Sequence, residues 1–176
     1  SDTDLSNSQG GTNFNDRFSI VILREGGIPG NTTLYITDVG WNTLTNNFID
    51  GSAEGYISWQ TPVTGIRQGT EIYFISTVVG SITSWSAYTT EAGTTTIGII
   101  VSNLNNNAID LSTGGDQLLI YQTGPPGGQA AGYNHVVRRF ITGIHANNEQ
   151  NITSYTSWDG TNPTTINQSN VPPGLS

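Results

Sequence analysis

The chain has 176 residues, enough for one domain with a sizeable core. Only 10% of them are charged, against roughly a quarter in an average soluble domain. Lysine is absent and the net charge is −8, so the clustered cations that nucleic acid and anionic lipid surfaces require are missing.

Residues 1–16 contain only Leu5 and Phe14 as large apolar side chains, among Ser, Asn, Gln, Gly and Asp. Fixing each backbone residue costs ~1–2 kcal/mol. Full burial of Leu5 and Phe14 together returns only about 3–6 kcal/mol. This segment cannot order itself, so it reads as an arm. The expected partner is the sheet edge of a neighbouring subunit, met by Leu5, Gly10, Gly11 and Phe14 through strand addition. Folding back on its own domain is the competing outcome. The domain proper is then 17–176.

Phe18 to Leu23 is a near-continuous apolar run, as in a buried strand. Thr33 to Thr37 alternates, with Leu34 and Ile36 on one face and Tyr35 on the other. Further strands are expected at Tyr56 to Gln60, Glu71 to Val79, Ile82 to Tyr88, Thr95 to Val101, Gln117 to Gln122, Val136 to Ile144 and Ile152 to Trp158. Turn signals separate them, among them Gly26-Gly27-Ile28-Pro29-Gly30, Asp50-Gly51, Gln68-Gly69, Gly114-Gly115 and Gly124 to Gly128. No stretch sustains a helical apolar period. About nine short strands at this spacing predict an all-β antiparallel sandwich, Ig-like or jelly-roll-like, with minimal helix. Trp59, Ile20, Ile22, Ile36, Phe74, Ile99 and Leu119 are its expected core.

The residues offer little for catalysis. There is no cysteine and no G-x-S-x-G elbow, and the only histidines are His135 and His145. Asp38, Asp50, Glu54 and Glu71 lie in or near loops, and their spacing sets none apart as a proton donor. An enzyme is therefore not expected. Loop oxygens suit Ca²⁺, for which Asp38, Asp50 and Asp116 are candidate ligands, although no D-x-[DN]-x-[DN]-G loop is present. Trp85 and Tyr88 stand on opposite faces of one strand, so one of them can serve as a sugar platform; core packing is the plainer role for strand aromatics. The sequons at Asn31, Asn151 and Asn167 are near chance in so Asn- and Thr-rich a chain. Without Cys or Lys, neither disulfides nor Lys–Asn isopeptide crosslinks can form within the chain.

Three blocks resemble a β-sandwich module recurrent in large secreted and surface proteins of bacteria. They are Phe18-Ser-Ile-Val-Ile-Leu23 with Pro29 to Trp41, which includes Thr37-Asp38-Val39-Gly40-Trp41; Gly115-Asp116-Gln117-Leu118 to Gln122; and Trp158-Asp159 with Val171-Pro172-Pro173-Gly174-Leu175. The module has no established activity, so the resemblance implies architecture and an extracellular place rather than chemistry. Where that family has an apolar strand ahead of Phe18, this chain has the polar stretch from Leu5 to Asn13. On the residues themselves, Gly40 would turn the chain to seat Trp41 on the sandwich, Gly115-Asp116 would open a hairpin, and Pro172-Pro173-Gly174 would stiffen the exit.

A chain without Met that opens on Ser1 reads as one whose leader has been removed. The expectation is a secreted, self-assembling subunit of a filament or surface layer, located outside the cell or on its surface. The alternative is a Ca²⁺-assisted lectin or adhesin domain that binds surface glycans. No run is long and apolar enough for membrane insertion as a helix.

Overall fold

The computed structural model describes residues 16–49, 56–79, 82–103, 109, 111, 115–123, 137–147 and 169–175. All regular structure among them is β: β1 (Arg17–Val21), β2 (Thr33–Thr37), β3 (Trp41–Asn42), β4 (Asn47–Phe48), β5 (Tyr56–Gln60), β6 (Glu71–Val79), β7 (Ile82–Tyr88), β8 (Ile99–Asn103), β9 (Gly115–Thr123) and β10 (Val137–Asn147). Every pairing is antiparallel. One sheet has the order β1-β6-β7, a second β10-β9-β2-β5-β8, and β3 and β4 form a small hairpin. No helix among the described residues could cross a membrane.

The central strands of the larger sheet bury side chains on both faces. Leu34, Ile36, Ile57, Trp59 and Ile120 face the smaller sheet and meet Phe18, Ile72, Phe74, Trp85 and Ala87. The Trp59 ring stands edge-on to Phe74 across the interface, with centroids 5.5 Å apart. This is the sandwich core. On the reverse face, Tyr35, Leu119, Tyr121 and Phe140 pack under the β3–β4 hairpin with Val39, Trp41, Phe48 and Leu175. The protein is thus a two-sheet sandwich whose larger sheet has a second apolar layer behind it.

The structure corrects several sequence expectations. Ile99 is exposed (64%), and Ile97 and Ile100 pack inward instead. The reason is Gly98, held at φ 68° against the Trp59 indole, whose Nε1 donates to the Ile97 carbonyl at 2.9 Å. This kink resets the alternation, which a continuous apolar run cannot reveal. Ile20 is only partly buried. β1 stops at Val21, and Leu23 turns out to solvent (79% exposed) as Ile22 binds Thr70 and Gly69 through its backbone. Thr95 to Ile97 pairs back on the end of β7 rather than opening β8. The β3–β4 hairpin is an addition. Asp16, assigned to the arm, is held by the domain: its carbonyl accepts from Ser76 N at 2.9 Å and its carboxylate from Leu111 N at 3.3 Å. The expected strand at Ile152 to Trp158 lies outside the described residues.

Candidate functional site

The arm residues Leu5, Gly10, Gly11 and Phe14, and the metal candidate Asp50, lie outside the described residues. Asp38 is fully buried at the end of β2, and its backbone carbonyl accepts a hydrogen bond from the Gln117 side chain. Asp116 pairs through its backbone with Ala146 in β10. Among the described residues, no group of three or more His, Asp or Glu side chains is placed to hold a metal ion. Trp85 is buried against Phe18, with ring centroids 5.4 Å apart, so its indole belongs to the sandwich core and offers no platform.

Pieces of the three resembling blocks meet at one end of the second core, and their contacts are structural. Ser169 Oγ accepts from Trp41 N at 2.9 Å, and Asn170 N donates to Trp41 O at 2.8 Å. Asn170 Oδ1 then accepts from both the backbone N and the hydroxyl of Thr43, each at 2.9 Å. The chain continues into a turn in which Leu175 N donates to Pro172 O at 3.1 Å, with Gly174 at φ 84°. Pro at the second position and a positive φ at the third make this a type II turn, which delivers Leu175 to the core. Trp41 is seated as expected, against Phe140 at 4.9 Å and Phe48 at 5.2 Å. Gly40 does this without a positive φ; its carbonyl instead accepts from Ile49 N and closes the hairpin.

The chemistry-bearing surface lies elsewhere, on the outer face of the β1-β6-β7 sheet. Alternation places Arg17, Ser19 and Val21 of β1 outward, and Phe18 and Ile20 inward. In register with them stand Glu71, Tyr73 and Ile75 of β6, and Tyr88 and Ser86 of β7. Tyr73 and Tyr88 are cross-strand partners, and both are half-buried. Glu71 accepts from Ser19 Oγ and from Tyr73 OH, each at 2.8 Å. These hydrogen bonds, Tyr73 first, hold the Glu71 carboxyl below the usual range. The same carboxylate, with burial and the Glu91 charge, pushes the Tyr73 phenol up. The loop after β7 closes one side. Gly93 lies over Ile75 and the Tyr88 ring, and Glu91 reaches Arg17 at 3.5 Å. Of this set, the sequence reading held Tyr88 as a ligand group and noted Glu71 only among loop carboxylates. The available signal was the outward row Glu71, Tyr73, Ile75 within β6.

β10 is the outermost described strand of the larger sheet. It carries Arg138 and Arg139, both exposed, and the exposed apolar side chains Ile141 (40%) and Ile144 (58%). Its pairing with β9 shifts register between Val137 and Arg139 and again between Phe140 and Thr142, and runs regularly from Thr142 to Asn147.

In comparisons with protein-family models, curated proteins and solved structures, the chain matches none of them.

Proposed function

We propose that this chain is an extracellular structural module that assembles with copies of itself, with β10 as the edge that receives the arm of a neighbour. The observation that carries the reading is the character of β10: eleven residues long and outermost among the described strands of the larger sheet, with exposed Ile141 and Ile144. Long outer strands with apolar side chains are templates for strand addition, and proteins usually blunt them. The arm supplies a complement. Asp2 and Asp4 can meet Arg138 and Arg139, two of only five basic residues in the chain, and Leu5 and Phe14 can cover the isoleucines. Low charge, the absence of lysine and the family resemblance support a place outside the cell.

The test is deletion of residues 1–15 in the otherwise complete chain, followed by negative-stain microscopy and a thermal melt. The expected result is loss of filaments or oligomers with a cooperative melt retained. Unchanged assembly, or an unfolded product, removes the reading.

A further inference from the structure

We propose that β1 is an acid-releasable strand, fastened to the domain through three carboxylates and freed as a unit when acid neutralises them. The inference does not depend on the assembly reading, since it concerns how β1 is held within one copy.

β1 is outermost among the described strands of the smaller sheet, and β6 is its strand partner there. It is five residues long, against eleven for β10. Its inward side chains fasten it only in part: Phe18 stacks on Phe74 with ring centroids 4.9 Å apart, but Phe18 and Ile20 are both only partly buried. The polar side-chain ties at Asp16, Arg17 and Ser19 each run through a carboxylate. Asp16, just ahead of the strand, accepts from Leu111 N at 3.3 Å. Arg17 meets Glu91 at 3.5 Å, and Ser19 Oγ donates to Glu71 at 2.8 Å. The whole chain has 13 acidic residues, and three of them converge on this one short strand.

An ionised carboxylate accepts hydrogen bonds at both oxygens and attracts a cation; protonation removes the charge and part of that accepting capacity. The other charged or titratable groups on the outer face of this sheet are Arg17 of β1 and the phenols of Tyr73 and Tyr88. Arginine stays charged and phenols stay neutral throughout the acid range, so the carboxylates alone change state there. The hydrogen bonds from Tyr73 and Ser19 hold the Glu71 carboxyl below its usual range. A carboxyl lowered by folding stabilises the fold above its unfolded value and loses that contribution as pH falls through the folded one. The sign is therefore loosening in acid. Release stops at Ile22, which is buried and exchanges backbone hydrogen bonds with Thr70 and Gly69 at 3.0 and 2.8 Å. Opening carries the chain's attachment to the sandwich from Asp16 back to Ile22.

The test is hydrogen exchange of the intact chain, read by mass spectrometry from pH 6.5 to 2.5, with protection taken relative to the intrinsic rate at each pH. Peptides over 16–22 report β1, and peptides over 56–60 report β5 in the larger sheet. Exposed ties are each worth little, but three lost together should lower β1 protection about tenfold relative to β5 in acid. Asp16→Asn, Glu71→Gln and Glu91→Gln combined, which keep the shapes, should give the acid level of β1 protection already at pH 6.5. Ser19→Ala, a second variant with every carboxylate intact, should lose part of the pH response. Parallel loss of β1 and β5 protection in the wild type overturns the proposal. So does a wild-type pH response in the combined variant.

Discussion

Trp59 shows how much a single side chain organises here. It is fully buried, packs on Phe74 across the two sheets, and ties its indole N–H to Ile97. Trp59→Ala should cost about 3–5 kcal/mol in urea unfolding, through the cavity and the orphaned carbonyl together. A loss below about 0.5 kcal/mol, the level of ordinary surface substitutions, would show that the sheets do not meet there. Tyr121 makes a second residue-scale case. Burial first, then the neighbouring Tyr56 and Tyr35 phenols, pushes its ionisation well above the ordinary value. Because the folded value is the raised one, its contribution to stability is complete below the unfolded value of about 10 and is lost as pH rises beyond it. The buried phenol should therefore ionise only as the protein unfolds. Absorbance at 295 nm and circular dichroism, followed together above pH 10, should show a late phenolate step coincident with loss of structure. Tyr121→Phe should move the alkaline transition to higher pH. A full phenolate signal in folded protein would contradict the burial.

Among the elements, the segment from Ser169 to Leu175 acts as a latch on the second core. Asn170 is its tightest point, because one side-chain oxygen serves both groups of Thr43. Asn170→Ala leaves those donors without their acceptor and should cost about 1–3 kcal/mol. For a chain of this size, that is a fall in melting temperature of about 2–4 °C per kcal/mol. An unchanged melt would mean that the latch is ornamental. The elements also show what a sequence discloses. β2, β5, β6 and β7 fall at the expected bounds because β-branched and aromatic residues run between clear Gly, Pro and Asn breaks. The β3–β4 hairpin escaped that reading, since Trp41-Asn42 and Asn47-Phe48 are too short to alternate. Ile99 and Ile100 could not be told apart until the Gly98 kink fixed their faces. The outer row of the smaller sheet was half legible: alternation set Tyr88 on the face opposite Trp85, but its cross-strand partner Tyr73 stands fifteen residues earlier. Pairing them requires the β6–β7 register, which turn geometry sets and composition does not.

At the scale of the whole molecule, charge offers a way to separate specific assembly from general stickiness. A net charge of −8 keeps copies apart by mutual repulsion, and any change toward zero relaxes that repulsion. The proposed docking depends instead on where the charges lie: Asp2 and Asp4 on the arm, Arg138 and Arg139 on β10. The two accounts give opposite signs for one variant. Replacing Asp2→Lys and Asp4→Lys brings the net charge closer to zero, so assembly governed by repulsion should strengthen. Docking of the arm on β10 should weaken, because lysines then oppose arginines. Adding Arg138→Glu and Arg139→Glu to the same chain restores opposite charges across the contact and the original net charge together, and assembly should return. Light scattering at low and moderate salt reads all three chains directly, and the differences should shrink as salt screens surface charges beyond about 10 Å at 0.1 M. Stronger assembly of the Asp2→Lys, Asp4→Lys chain, or no return in the fourfold variant, would take β10 away as the acceptor.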